Sequence, residues 1–185
     1  MIRTQPERAG APVTAAIRSA RAADAGALSD FFAALSPQTR YLRFFAPVTP
    51  RPGLLRSMSG GDGHTDAVVA VRGCVIIGHA VATDQVGPRG ARTADVGMVV
   101  ADAWQGLGVG SALMRALITG ARARGVTSLT MEVLPGNRRM LAIIAGHWPA
   151  AHIEGSPDFV TFRIRLPHRR QQRPRARPAA LASAG

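Results

Sequence analysis

The chain contains no lysine and a single cysteine, Cys74, and both shortages exclude whole classes of site. Without lysine, the chain cannot form a nucleotide-binding loop of the form GxxxxGKS or GxxxxGKT. One cysteine rules out an internal disulfide and any metal site built from several cysteines. The five histidines follow neither HExxH nor any other metal-ligand spacing, so we predict no metal site.

Long apolar runs are missing as well. No run reaches the roughly 18 to 20 residues that a membrane span needs, so we expect no membrane contact. The opening MIRTQPERAG lacks the hydrophobic core of a secretory signal, and we therefore expect a cytoplasmic protein. With 185 residues, 46% of them apolar, the chain is long enough for one globular domain.

Acidic residues are few: 11 stand against 23 basic ones, all arginine, for a formal net charge of +12. The last 18 residues, HRRQQRPRARPAALASAG, contain five arginines and no acid. This composition predicts a disordered, solvated tail, or alternatively an anion-binding arm for an acidic partner. The tail has no aromatic residue to stack on a base, which argues against nucleic acid as that partner.

The first half of the chain predicts a short strand, a helix and a hairpin. VTAAIRS (13–19) is the strand, and AADAGALSDFFAAL carries apolar residues at helical spacing until Ser36-Pro37 interrupts it. The prolines and glycines of residues 47–63 predict a loop. DAVVAV (66–71) and CVIIGHAV (74–81) then predict two buried strands turning at Arg72-Gly73, with Cys74 in the core.

The second half predicts strands alternating with helices. ADVGMVV (94–100) and the alternating TSLTMEV (127–133) are strands, and between them a helix runs from a glycine cluster to about Arg124. NRRMLAIIAG is a further helix, and FVTFRIRL ends the pattern as a strand. This order predicts an α/β fold with a mixed sheet and helices on both faces.

The glycine cluster, in WQGLGVGSALM (104–114), predicts an anion site at the start of a helix, where backbone N–H groups are unpaired. A dinucleotide fingerprint, GxGxxG or GxGxxA, does not fit, because the sixth residue is Ser111 counted from Gly106 and Leu113 counted from Gly108. What the cluster contains is Gln105-x-x-Gly108-x-Gly110, between a strand and a helix.

This motif resembles the pyrophosphate-binding signature of the GNAT superfamily, the acyl-CoA-dependent N-acyltransferases. The predicted order of elements from residue 13 to residue 166 is similar to that family's, and LSPQTRYLRFF resembles a stretch of bacterial GNAT domains related to protein lysine acetyltransferases. The resemblance implies a mixed, mostly antiparallel sheet. It also divides the chain into an N-terminal extension (1–12), an acyltransferase domain (13–166) and a tail (167–185).

The resemblance implies that acetyl-CoA is the acyl donor. The backbone of Met98, Val99 and Val100 is then expected to bond the pantetheine amides, and Asn137 to lie near the pantetheine arm. The pyrophosphate is expected on the loop made of Gln105, Gly106, Leu107, Gly108, Val109, Gly110 and Ser111. Arg138 and Arg139 are further candidates for contact with a phosphate of the donor.

The resemblance also implies that an amine attacks the thioester directly in a ternary complex, with Asp95 as the general base. The alternative is that Asp95 starts an edge strand and only faces solvent. Many relatives protonate the leaving thiolate with a tyrosine seven residues after Asn137, but Ile144 stands there, and Tyr41 is the only tyrosine. We therefore assign no general acid.

The acceptor is the least determined part of the prediction. Arg40, Arg43, Arg51 and Arg56 lie in the segment that usually forms part of the acceptor site, and they favour an acceptor with acidic surroundings. We predict a protein lysine, with a small amine or amino acid as the alternative. A catalytically weak acyl-CoA-binding module with a basic interaction tail is a further alternative. We expect the protein to be a monomer or a homodimer.

Overall fold

A computed structural model describes residues 15–46, 48–60, 63–86 and 91–167. The strands are Ala16–Ser19 (β1), Thr65–Arg72 (β2), Val75–Val86 (β3), Arg92–Val100 (β4), Ser128–Val133 (β5), His152–Gly155 (β6) and Val160–Arg165 (β7). The helices are Ala25–Ala34 (α1), Pro37–Phe44 (α2), Pro52–Met58 (α3), Val109–Ala123 (α4) and Arg138–His147 (α5). The predicted extension 1–12 and the tail from residue 168 onward lie outside the described residues.

The strands form one sheet in the order β1-β2-β3-β4-β5-β7-β6. Each neighbouring pair is antiparallel except β4 and β5, which are parallel. This exception follows from α4, which carries the chain back across the sheet between those two strands, as a parallel connection requires. The predicted mixed, mostly antiparallel sheet is confirmed.

Helices cover both faces of the sheet, as predicted. On one face, Leu113 and Leu117 of α4 are buried against β2–β5 and Ile144 of α5 joins them. On the other face, α1 buries Leu28, Phe31 and Phe32 against α3 and strands β2–β4. None of the helices in the described ranges combines the length and apolarity that crossing a bilayer requires.

Two helices occupy the region between α1 and β2, and both start at a proline. Ser36 caps α2 by accepting a hydrogen bond from the backbone N–H of Thr39 (3.2 Å), and Pro37 takes the first turn. Pro52 does the same for α3, inside the stretch predicted to be a loop. That prediction was wrong because proline, a helix breaker elsewhere, is well tolerated in the first helical turn.

The β2–β3 hairpin turns one residue later than predicted. Arg72 pairs with Val75, so the turn is Gly73–Cys74, and Gly73 adopts the positive φ of 58° that such a tight turn favours. Cys74 is consequently exposed, and its predicted place in the core was wrong.

The end of α4 is tied to the sheet by charged side chains. Arg124 bonds the nearly buried carboxylate of Asp84 on β3 (2.7 Å) and also pairs with Asp66 on β2, while Arg92 bonds the same Asp84 (2.6 Å). Burial raises the pKa of Asp66, and only part of that shift is offset by the charge of Arg124. This network sets the position of the helix that starts at the glycine cluster.

His79 makes the stability of the fold depend on pH. Its ring is fully buried between α1 and α3, and Nε2 donates to the carbonyl of Met58 (2.9 Å). Burial lowers the pKa of His79 from 6.5 to about 4. Below pH 6.5 His79 therefore binds a proton in the unfolded chain but stays neutral in the folded protein. We expect the free energy of unfolding to fall by about 3 kcal/mol between pH 6.5 and pH 4.

Urea unfolding at several pH values checks this expectation. The variant His79→Gln, which keeps a donor but cannot titrate, should lose distinctly less stability over the same range. An equally steep loss in the variant would assign the acid sensitivity to other groups.

Candidate active site

Strands β4 and β5 separate halfway along their length, and the candidate site lies in the opening. Their pairing covers only Thr93–Asp95 opposite Ser128–Thr130, although both strands run on. Beyond Asp95, the backbone groups on this side of β4 face a gap, where they can pair with the amides of a ligand. The predicted Met98, Val99 and Val100 lie along that gap.

Two adjoining cavities occupy the opening, with volumes of about 380 and 430 Å³. The first, the loop cavity, lies between the end of β4, the glycine cluster and α5. Its lining includes the predicted residues Met98, Val99, Val100, Gln105, Gly106, Gly108, Gly110, Ser111 and Asn137. The second, the strand cavity, lies between α2, β4 and β5 and includes Asp95, Thr130 and Glu132 in its lining.

The glycine cluster forms a tight loop at the N-terminus of α4, beside the loop cavity. Gly106 and Gly108 have φ angles of 81° and 83°, which side chains disfavour, and Gly108 is the residue that caps the helix. The first backbone N–H groups of α4, from Val109 to Ser111, have no partner within the helix and suit an anion. Leu107 and Val109 line neither cavity. The side chain of Leu107 is half exposed on the surface, and that of Val109 is buried in the core.

Gln105 and Arg139 complete the loop from the side. The amide of Gln105 donates to the carbonyl of Val100 (3.1 Å), and its oxygen accepts from Arg139 (3.4 Å). The guanidinium of Arg139 also lies close to Gly106 and lines the loop cavity, whereas Arg138 lines neither cavity. A cation beside unpaired N–H groups fits a pyrophosphate.

Asn137 begins α5 and lines both cavities. Its side-chain oxygen accepts a hydrogen bond from the backbone N–H of Met140 (3.2 Å), so it caps that helix. Ile144, at the position where relatives were expected to have a tyrosine, is 1% exposed and packed in the core. Tyr41 lines neither cavity, so we do not assign it as the acid that protonates the leaving thiolate.

Asp95 lies on the wall of the strand cavity. Strand β4 has neighbours on both sides, so Asp95 does not belong to an edge strand. Its side chain is exposed to solvent and accepts a hydrogen bond from the amide of Gln85 (3.0 Å). An incoming amine can therefore reach the carboxylate directly from the cavity.

Glu132 is a second carboxylate that the sequence reasoning did not select. Thr130 pairs with Asp95 across β4 and β5, and Glu132, two residues further on, lies on the same face of the sheet. The alternation in TSLTMEV carried this information, because it separates Thr130 and Glu132 from the buried Leu129, Met131 and Val133.

Asp102 holds α2 against the site and was also missed. It accepts hydrogen bonds from the hydroxyls of Thr39 (2.6 Å) and Ser36 (2.8 Å) and from the backbone N–H of Ser36 (3.1 Å). Burial raises the pKa of Asp102, but these hydrogen bonds outweigh it and hold the pKa below its usual value. The start of α2 is thus fixed beside the turn that follows β4.

A sheet that splays beside a glycine loop at a helix start, with unpaired strand amides between them, fits an acyl-coenzyme A donor. The model of the acetyltransferase (GNAT) family matches residues 29–144. The chain belongs to this family and is an acetyltransferase that uses acetyl-CoA as its donor.

Solved structures agree with this assignment. The GNAT domain of S. lividans PAT is 26% identical, with a TM-score of 0.73, and the match covers 82% of this chain and 90% of that one. An acetyltransferase of the GNAT family from Streptococcus pneumoniae is 18% identical (TM-score 0.67; 82% and 98% covered). A phosphinothricin acetyltransferase from Sinorhizobium meliloti, solved with acetyl-CoA, is 17% identical (TM-score 0.64; 84% and 89% covered). At 17% and 18% identity, the likeness to the last two structures concerns the fold alone.

Proposed function

We propose that this acetyltransferase moves an acetyl group from acetyl-CoA to a primary amine by direct attack in a ternary complex, with Asp95 as the general base. The observation that carries the proposal is the adjacency of the two cavities. They share Leu42, Arg43, Met98, Asn137 and Met140 in their linings, so an amine in the strand cavity would lie beside a thioester that extends from the loop cavity.

Residues of both cavities have defined tasks in this reaction. The glycine loop and the gap along β4 bind the donor, while Asp95 takes a proton from the acceptor ammonium, whose pKa is about 10.4 for a lysine. The amine nitrogen then bonds to the thioester carbonyl carbon and releases its second proton to solvent, and the carbon–sulfur bond breaks to leave the amide and the thiolate. The thiolate takes its proton from solvent, since a thiol is already a fair leaving group near neutral pH.

For the acceptor, we propose a lysine side chain of a protein with acidic residues around it. The exposure of Asp95 supports this choice, because a lysine side chain is long enough to reach the carboxylate while its polypeptide stays outside the cavity. A free amino acid is the second candidate, supported by Arg43, which lines both cavities and can bind a carboxylate. We propose the cytoplasm as the compartment, supported by the near absence of cysteine.

Initial rates measured while both substrates are varied test the mechanism. Direct attack predicts intersecting lines in double-reciprocal plots, and acetylated product identified by mass spectrometry in step with released coenzyme A. Parallel lines would instead indicate an acetylated enzyme and contradict the proposal. Cys74, exposed in the β2–β3 turn and outside both cavities, provides the control: Cys74→Ser should keep the full rate.

A further inference from the structure

Arg43 on α2 is one of the residues that line both cavities. The guanidinium lies directly on the backbone of Gly97 in β4, so closely that a methyl group at position 97 would overlap its terminal atoms. Glycine at this strand position therefore provides the seat for the arginine. The ring of Phe44 lies on another side, 5.0 Å from the guanidinium carbon.

Arg43 has no anionic partner within residues 15–46, 48–60, 63–86 and 91–167. It makes no ion pair or side-chain hydrogen bond there, and its Nε is buried without an acceptor. By contrast, Arg18, Arg92 and Arg124 each bond a carboxylate at 2.6–2.7 Å. Burial lowers the pKa of Arg43 to about 10, which leaves it charged at neutral pH. An unpaired cation whose Nε is buried and whose half-buried side chain lines a cavity is complementary to a ligand anion.

The strand cavity also contains negative charge, separated from this cation. Asp95 and Glu132 line it, yet neither forms an ion pair with Arg43. Asp95 lies two residues before Gly97 on the same face of β4, so their Cα positions are about 6.6 Å apart. The cavity therefore offers carboxylates for an ammonium and, a short distance along the strand, a guanidinium for an anion.

We propose that Arg43, seated on Gly97, binds a carboxylate of the acceptor, and that the acceptor is an amine with a carboxylate a few bonds or one neighbouring side chain away. This inference rests on the proposed function, because it names the acceptor of the same site. The guanidinium can bond both carboxylate oxygens at once, which fixes the orientation of the amine toward Asp95. The pyrophosphate of the donor has its own loop at the other end of the opening.

Two sources of carboxylate are compatible with this chemistry: the α-carboxylate of a free amino acid, and an acidic side chain beside the amine of a polypeptide. The experiment therefore uses two matched sets of acceptors. The first pairs common L-amino acids with the amines that lack their carboxylate. The second pairs peptides in which a lysine has aspartate or asparagine as its neighbour. Binding in the presence of coenzyme A is measured by calorimetry, and kcat/KM by product formation.

We expect the carboxylate-bearing members of one set to bind, and to be acetylated, at least about tenfold better than their matched partners. Arg43→Gln should remove this preference while the acetyl-CoA Kd stays unchanged, and Arg43→Lys should restore only part of it. Gly97→Ala, which displaces the guanidinium and leaves its charge, should also lower the preference. Arg115→Gln, at an exposed position of α4 outside both cavities, is the control and should retain it.

The outcomes separate the two proposals. If acetyl transfer persists and folded Arg43→Gln and Gly97→Ala keep the carboxylate preference, the role of Arg43 is refuted and the proposed function stands. If carboxylate binding depends on Arg43 but no amine is acetylated, the anion site stands and the proposed function fails. If neither set shows a preference in the unmodified protein, the anion site is refuted. The set that shows the preference identifies its source.

Discussion

Replacing Asp95 with asparagine should lower kcat about 100-fold near neutral pH while the acetyl-CoA Kd changes less than about twofold. A well-placed general base typically contributes 10²- to 10⁴-fold, and the lower end applies here because the carboxylate is exposed. Asparagine keeps the size of the side chain and can still meet the amide of Gln85, so packing should hardly change. Single-turnover rates and calorimetry on the same preparations separate the chemical step from donor binding.

Glu132→Gln is the matched variant, because Glu132 lies in the same cavity on the adjacent strand. If Asp95 is the base, Glu132→Gln should retain most of the activity. The double variant should then be at most a few fold slower than Asp95→Asn. A near-normal rate for Asp95→Asn together with a large loss for Glu132→Gln would transfer the role to Glu132. Large and equal losses in both variants would indicate that the two carboxylates act together.

Replacing Gly108 with valine should weaken acetyl-CoA binding by 10-fold or more. Gly108 has a φ of 83°, a conformation in which a β-branched residue is a genuine outlier. The loop would therefore rotate to a negative φ and turn its N–H groups away from the position of the pyrophosphate. Each charge-assisted hydrogen bond is worth about 1.5–3 kcal/mol, so the loss of one is enough for the tenfold effect. Calorimetric titration with acetyl-CoA measures it.

Gly125→Val is the control for backbone strain. Gly125 follows the other end of α4 with a φ of 85°, has open space around it, and lines neither cavity. Both variants should unfold at a lower temperature by similar amounts, but only Gly108→Val should lose affinity for acetyl-CoA. Equal affinities in the two variants would mean that the loop does not bind the donor.

The sequence by itself determined the architecture, and it also predicted where the donor binds. The periodicity around Leu28, Phe31 and Phe32 identified the buried side of α1, and the alternation of TSLTMEV identified the two faces of β5. The glycines of the loop are similarly informative, since a positive φ and an unpaired helix start need only residues close together in the chain. Such signals are local, and local signals can be recognised without the fold.

Other features depended on contacts between residues far apart in sequence, and only the tertiary structure decided them. Asp102 binds the start of α2 from 66 residues away, and no local pattern connects it with Ser36. Arg43 and Gly97 are similarly remote: the sequence placed Arg43 in a basic stretch, but not its guanidinium on a strand backbone. Cys74 moved from the predicted core to a turn because strand pairing, and not the apolar run around it, sets the register. The physical reason is common to these cases. The free energy of a hydrogen bond, a close backbone contact or a strand register depends on which residue from a distant part of the chain makes the contact. Only the folded structure brings such residues together.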